Sequence, residues 1–181
     1  MNTNGIEVRP SKASEIEVAL SIHRAAFGQD DEADLVDALL KDPTAEPSLS
    51  LLAFRNQQPA GHILFTHGKI SGTDVVTSSL CPLAVSPEFQ AAGVGRALIE
   101  TGLRMLRNTG CQFVFVLGDP AYYGRFGFIQ ADIKRFPTPQ PIPKEYHTAW
   151  MVQTVSNTSI EDCQGRQTCA DALNKPEYWS A

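Results

Sequence analysis

Apolar residues that recur first at the two-residue spacing of strands and then at the 3.6-residue spacing of helices place this 181-residue chain in the α/β class. Two observations define the sheet. Leu49 to Val85 reads as strands joined by short turns, which makes them antiparallel neighbours, and Phe113-Val114-Phe115-Val116-Leu117 is a continuous apolar run, the mark of a strand covered on both faces. A sheet of mixed direction is therefore expected.

Ile6-Glu7-Val8-Arg9 alternates apolar and charged residues before Pro10, the pattern of a short half-buried strand. From Ser14 the period changes: Ile16, Leu20, His23 and Phe27 share a helical face, Ser14 and Glu17 have capping-box spacing, and Gly28 supplies the stop. A second helix starts at Asp30 or Asp31, with Leu35, Val36, Leu39 and Leu40 as its stripe and Pro43 beyond its end. Leu49 to Arg55 and Ala60 to Ile70 form a hairpin about Asn56-Gln57-Gln58-Pro59, and Ser71-Gly72-Thr73-Asp74 leads into a strand from Val75 to Val85. Pro82 has no N–H for a ladder, so it marks a bulge or a place where pairing is given up. Val94 to Thr109 carries a helical face of Leu98, Gly102, Leu103 and Leu106, with Gly110 as its stop. The prolines from Ile133 to Tyr146 make an extended loop, and Ala149 to Val155 is one last strand.

The length favours one domain, since about 100 to 200 residues per domain is usual. With 43% hydrophobic and 19% charged residues the chain is not disordered, and its net charge of −5 carries no electrostatic footprint for nucleic acid or an anionic membrane. No run approaches the roughly 18 apolar residues of a spanning helix, and Met1 to Pro10 lacks a signal-peptide core, so a cytoplasmic location is expected. Without a secretion signal, the sequon Asn157-Thr158-Ser159 carries no weight. Cys81, Cys111, Cys163 and Cys169 show no C-x-x-C pair and no nearby histidines, so they read as free thiols and no metal site is expected. After Ser156 the pattern fades. Residues 1–156 are expected to form the domain and residues 157–181 a polar tail, packed on it or partly disordered.

The most informative segment runs from Leu83-Ala84-Val85 through Gln90-Ala91-Ala92-Gly93-Val94-Gly95-Arg96-Ala97: an apolar strand, a glycine-containing loop, then a helix start. The first N–H groups of a helix lack internal partners and sit at the positive end of its dipole, so a phosphate can be held there. Gly93 and Gly95 clear side chains from the approach, and Arg96 adds charge. Leu98 occupies the third glycine position of G-x-G-x-x-G, and there is no Gly-Lys-Ser/Thr ending, which disfavours dinucleotide and P-loop folds.

Here the sequence resembles the GNAT superfamily of acyl-CoA-dependent N-acetyltransferases. Leu83-Ala84-Val85 followed by Gln90-x-x-Gly93-x-Gly95, the buried strand after the helix, and Tyr122-Tyr123-Gly124-Arg125-Phe126-Gly127-Phe128 carry the resemblance, which spans Ile6 to Phe128. Gly118-Asp119-Pro120-Ala121-Tyr122-Tyr123 is similar to one bacterial subgroup of predicted acetyltransferases. The resemblance implies the GNAT fold, with about six to seven mostly antiparallel strands and about four flanking helices, in the layered α/β manner. It implies acetyl-CoA as cosubstrate, held by Leu83, Ala84, Val85 and the run Gln90, Ala91, Ala92, Gly93, Val94, Gly95, Arg96 and Ala97. It further implies Val85 N–H as oxyanion donor and Tyr123 as general acid.

Acyl transfer needs a neutral amine, donors for the tetrahedral oxyanion and a proton for the departing thiolate. A strand that splays at Pro82 frees backbone groups for the pantetheine amides, and Tyr123, with an ordinary pKa near 10, keeps its proton for the sulfur. The general base is missing: where relatives in the superfamily often carry a glutamate, this strand offers Thr77, Ser78, Ser79 and Cys81. Cys81 without an evident base reads as inert, Tyr122 as structural, and Arg125 as either a solvated charge or a phosphate contact. His62 and His67, five apart on a strand, point to opposite faces and read as partly buried surface histidines, and His23 reads as a satisfied core histidine. Phe27, Gly28 and Asp30-Asp31-Glu32 lie where the superfamily builds its acceptor wall; the acids could draw a cationic amine or simply serve their helix's dipole. The leading expectation is acetyl transfer from acetyl-CoA to a small-molecule or peptide primary amine, in a protein that could form homodimers through strand edges. A non-catalytic CoA-binding sensor or assembly module is the alternative, and a nucleotide-binding regulator rests on the glycine loop alone.

Overall fold

The chain forms strand β1 (Ile6–Pro10), helices α1 (Ile16–Phe27) and α2 (Asp31–Leu40), and strands β2 (Leu49–Arg55), β3 (Gln58–Lys69) and β4 (Val76–Val85). Helix α3 (Val94–Leu106), strand β5 (Phe113–Leu117), the single turn α4 (Pro120–Tyr123), and strands β6 (Ile129–Gln130) and β7 (Trp150–Thr154) follow. This computed structural model describes residues 5–180; residues 1–4 and 181, the ends of the expected domain and tail, lie outside them. All seven strands join one sheet in the order β1-β2-β3-β4-β5-β7-β6, antiparallel except between β4 and β5.

Side-chain alternation sorts the sheet residues between two cores. Leu51, Ala53, Ile63, Phe65 and Val114 face α3 through its Leu98, Ile99 and Leu103. On the opposite face, Leu52 and Ala84 meet α1, while Leu64, Phe113 and Phe115 meet α2 and Trp150. Both faces are covered, which is why Leu51-Leu52-Ala53 and Phe113 to Val116 are apolar without interruption. Gly102 stands on the inner face of α3 because the Phe65 ring occupies the space a side chain would need.

Three local expectations change. The hairpin turn contracts to Asn56 and Gln57, both at positive φ (50° and 66°), and Pro59 already belongs to β3. The Ser14/Glu17 capping box does not form, because Arg9 draws the Glu15 carboxylate (2.7 Å) and Glu15 accepts from the Lys12 N–H (2.8 Å), starting the helix as a 3₁₀ turn. Asp30 precedes α2, but its carboxylate pairs with Arg24 (3.2 Å) instead of capping the backbone.

The proline in β4 does disturb the ladder: between the Ile63–Leu83 and Phe65–Leu80 pairs, Cys81 and Pro82 together face Leu64. On its other side β4 pairs with β5 only from Thr77 to Ser79, after which the two strands part. The polar segment after Ser156 crosses back over the sheet. Gln167 is wholly buried and donates to Thr77 and Ser79, Trp179 donates its indole N–H to the Leu173 carbonyl (2.9 Å), and the Asp171 N–H reaches Thr44. Among the described residues no helix is long and apolar enough to cross a membrane.

Candidate active site

Where β4 and β5 part, the last residues of β4 expose backbone rather than side chains. The Ser86 N–H bonds to the Ala60 carbonyl (2.9 Å), and because such groups alternate along an antiparallel strand, the N–H and C=O of Leu83 and Val85 point away from β3, into the gap. Gln90 confirms the direction at Val85, its amide donating to the Val85 carbonyl from the gap side (3.3 Å). The chain then turns through Ala91 (φ 58°) and Gly93 (φ 87°) into α3. Gly93 precedes the helix with no side chain to cap it, so the first-turn N–H groups face an open cavity of about 490 Å³. Val85, Gln90, Ala91, Gly93, Val94, Gly95 and Arg96 line that cavity; Leu83, Ala84, Ala92 and Ala97 do not.

The opposite wall comes from the segment after β5. Asp119 caps α4 by accepting the Ala121 N–H (2.9 Å), and the turn continues as 3₁₀ to Gly127 (φ 91°). This places Tyr122, Arg125 and Phe126 on the cavity side. A Cβ at Gly95 would collide with the Tyr122 hydroxyl, so the second glycine of the loop is required by close packing of α3 against Tyr122. Tyr122 thus packs against α3, as its structural reading expects, and also lines the cavity; Arg125 lies over its ring at 4.9 Å, and Arg96 over Phe126 at 5.1 Å. Sequence reading missed Tyr122, Phe126 and Phe89 as lining residues, although 122, 125 and 126 share the i, i+3, i+4 face of a short helix.

Tyr123 projects to the other side of α4, packed edge-on against Tyr122 (5.1 Å) and Phe128 (5.6 Å). Burial, with Tyr122 and Cys81 beside it, holds its hydroxyl well above the usual phenol range, so it stays protonated. Across the parted strands lies a second, smaller chamber of about 200 Å³, lined by Cys81 and Pro82 of β4, Val116 and Leu117 of β5, Trp150, Glu32 of α2 and Trp179. Burial and the nearby Glu32 carboxylate push the Cys81 thiol up to about 12, which leaves it a poor nucleophile.

The histidines are elsewhere. His62 is fully buried, not a surface residue, and its Nδ1 lies 2.8 Å from Nε2 of His23, while its Nε2 meets Ser50 Oγ (2.8 Å), which accepts from Ser11 (2.6 Å). Burial lowers His23 to about 4 and, with His23 beside it, His62 to about 3, so both rings are neutral at pH 7. His23 is the less satisfied of the two, since its Nδ1 has no partner. His67 lies on the other sheet face, half-buried.

A mixed sheet parted between its parallel strands β4 and β5, with a glycine-turned helix start beside the gap, thus forms one open site. The family model for the GNAT acetyltransferase domain matches residues 7–131, and the chain belongs to that family. It is similar to the uncharacterized N-acetyltransferase YjhQ of Escherichia coli, 45% identical over 164 residues that span 89% of this chain and 88% of that one. Over 106 residues, 58% of this chain and 62% of the relative, it is 37% identical to the uncharacterized N-acetyltransferase YhbS of Escherichia coli. The crystal structure of YhbS from Escherichia coli in complex with CoA superposes with a TM-score of 0.84 at 27% identity, covering 94% and 92% of the two chains. A GNAT acetyltransferase from Brucella melitensis in complex with acetyl-CoA gives 0.74 at 27% identity, covering 94% and 99%.

Proposed function

We propose that the protein transfers an acetyl group from acetyl-CoA to a primary amine by direct attack through a tetrahedral intermediate. The observation that carries this reading is the shared opening: the outward backbone groups of Leu83 and Val85 and the uncapped start of α3 face the same side of the parted strands. The CoA and acetyl-CoA complexes of the two solved relatives support the choice of cosubstrate. In this reading the N–H groups of Val94, Gly95 and Arg96, with the Arg96 and Arg125 guanidinium groups, hold the pyrophosphate. Gln90, Ala91, Ala92, Gly93 and Ala97 shape the turn, and the outward backbone groups of Leu83 and Val85 pair with the pantetheine arm as a missing strand would, while Ala84 between them faces β3.

The attacking nitrogen must arrive uncharged. No carboxylate stands on β4, and the apolar chamber beside Cys81 does part of a base's work, since a buried ammonium is disfavoured and loses its proton more readily. Attack on the thioester carbonyl generates an oxyanion, which the fixed Val85 N–H dipole stabilises. Collapse breaks the C–S bond; the departing thiolate takes the Tyr123 hydroxyl proton, and the nitrogen, positively charged after attack, gives up one proton, which restores Tyr123 directly or through solvent.

Thermal-shift titration with acetyl-CoA, CoA, ATP and NAD tests the donor: stabilisation by the CoA species alone is expected, and none with CoA rejects the reading. Tyr123→Phe should lower kcat by about 10²- to 10⁴-fold with little change in CoA affinity. Unchanged turnover would remove Tyr123 from the mechanism. The missing carboxylate favours one second reading, a CoA-binding module without turnover, which thioester consumption with any amine would exclude.

A further inference from the structure

The chamber across the parted strands opens into a wider vestibule of about 620 Å³, and the two share Glu32, Leu35 and Tyr178. Their chemistry differs sharply. The chamber is walled by Phe115, Trp150, Leu173 and Trp179, with Glu32 as its one charged residue. The vestibule is ringed by Asp31, Glu32, Asp34 and Glu177, and no ion pair among the described residues involves any of these four. Tyr178 sits where these acids converge: burial, then Glu177, Asp31 and Asp34, raise its hydroxyl. Helix α2 supplies three of the carboxylates and the segment after β7 the fourth, so the acidity does not belong to one helix start alone.

We infer that the acceptor is a primary amine on an apolar stem of about six carbons with a second cationic group at the far end, the stem filling the chamber and the second charge held among Glu32, Asp31, Asp34 and Glu177. This rests on the acetyltransferase reading proposed above. The size follows from the volume, since an apolar cavity of about 150 Å³ holds benzene. Direction follows from the lining: Cys81 and Pro82 of β4 and Val116 and Leu117 of β5 border the chamber where the two strands part, so the inner end is the reacting end. A carboxylate in place of the second cation would be repelled, and an uncharged end would forgo the attraction of the four acids.

The test compares 1,6-diaminohexane, hexylamine and 6-aminohexanoate as acceptors, at saturating acetyl-CoA, by thiol release. The expected order of kcat/KM is diamine, monoamine, amino acid, with about tenfold or more between the first and the second, the size of a charge-assisted contact. Glu32→Gln should shrink the diamine-to-monoamine ratio, Glu32→Asp should retain most of it, and added salt should weaken it. Equal rates for diamine and amino acid, or a ratio that Glu32→Gln leaves intact, would overturn the inference. So would absence of diamine turnover in protein that acetyl-CoA still stabilises, whereas no stabilisation by acetyl-CoA would remove the underlying reading as well.

Discussion

Gly95 and Tyr122 show how one atom can decide a residue. Placing a methyl at Gly95 drives it into the Tyr122 hydroxyl, yet the ring carbon Cζ behind that hydroxyl is 3.6 Å away, an ordinary contact. Gly95→Ala should therefore weaken CoA binding by displacing Tyr122, and adding Tyr122→Phe should recover much of the loss, a coupling that a double-mutant cycle on CoA affinity reads directly. Additive effects would mean that the glycine is needed by the ligand and not by the tyrosine. The glycines were legible in the sequence because their spacing within one loop is local. Their dependence on Tyr122 was not, because α3 and α4 meet only after the sheet has formed. Tyr123 carries a pH consequence: with its hydroxyl held above the phenol range, kcat should show no falling limb from this group up to about pH 10.

At the scale of elements, α1 and β3 are joined by two neutral imidazoles. The folded values of about 4 for His23 and about 3 for His62 lie below the unfolded value of 6.5, so as pH falls through that value the unfolded chain takes up protons that the native chain refuses. Stability contributed by the neutral pair is thus full above about pH 7 and declines toward pH 3, by roughly 2 to 4 kcal/mol between pH 7 and 5. Urea unfolding across that range measures it, and a His23→Phe, His62→Leu variant should show a flatter profile. Periodicity placed His23 on the inner face of α1 but could not pair it with His62, since the pairing depends on how the helix lies across the sheet. The order of strands was readable up to β5, helped by Pro82 and by the uninterrupted apolar run of β5. The two-residue β6 was not, because a strand that short has no period to detect.

The whole molecule depends on its last 24 described residues, from Asn157 to Ser180. Their composition looked weakly patterned because the anchors Gln167, Ala170, Leu173 and Trp179 stand on chain without regular helix or strand, and one of them is polar and one small. Trp179 packs edge-on against Trp150 at 5.8 Å, so Trp179→Ala should cost about 3 kcal/mol in urea unfolding. Removing residues 157–181 should bare the apolar face of β5 and β7 and raise binding of a hydrophobic dye; a truncated chain as stable as the full one would show that the anchors are passengers. The same segment bears on ancestry. The family match ends at residue 131, and it takes in β4, the glycine turn, α3 and both tyrosines, while Trp150, Leu173, Glu177, Tyr178 and Trp179 all come later. Similarity to YjhQ covers 89% of the chain and so runs on past residue 131, into the stretch that the family model leaves out. If the acceptor occupies the chamber, that stretch closes a pocket whose other walls are α2, β4 and β5, and a graft of it between relatives should alter amine preference while leaving CoA affinity unchanged.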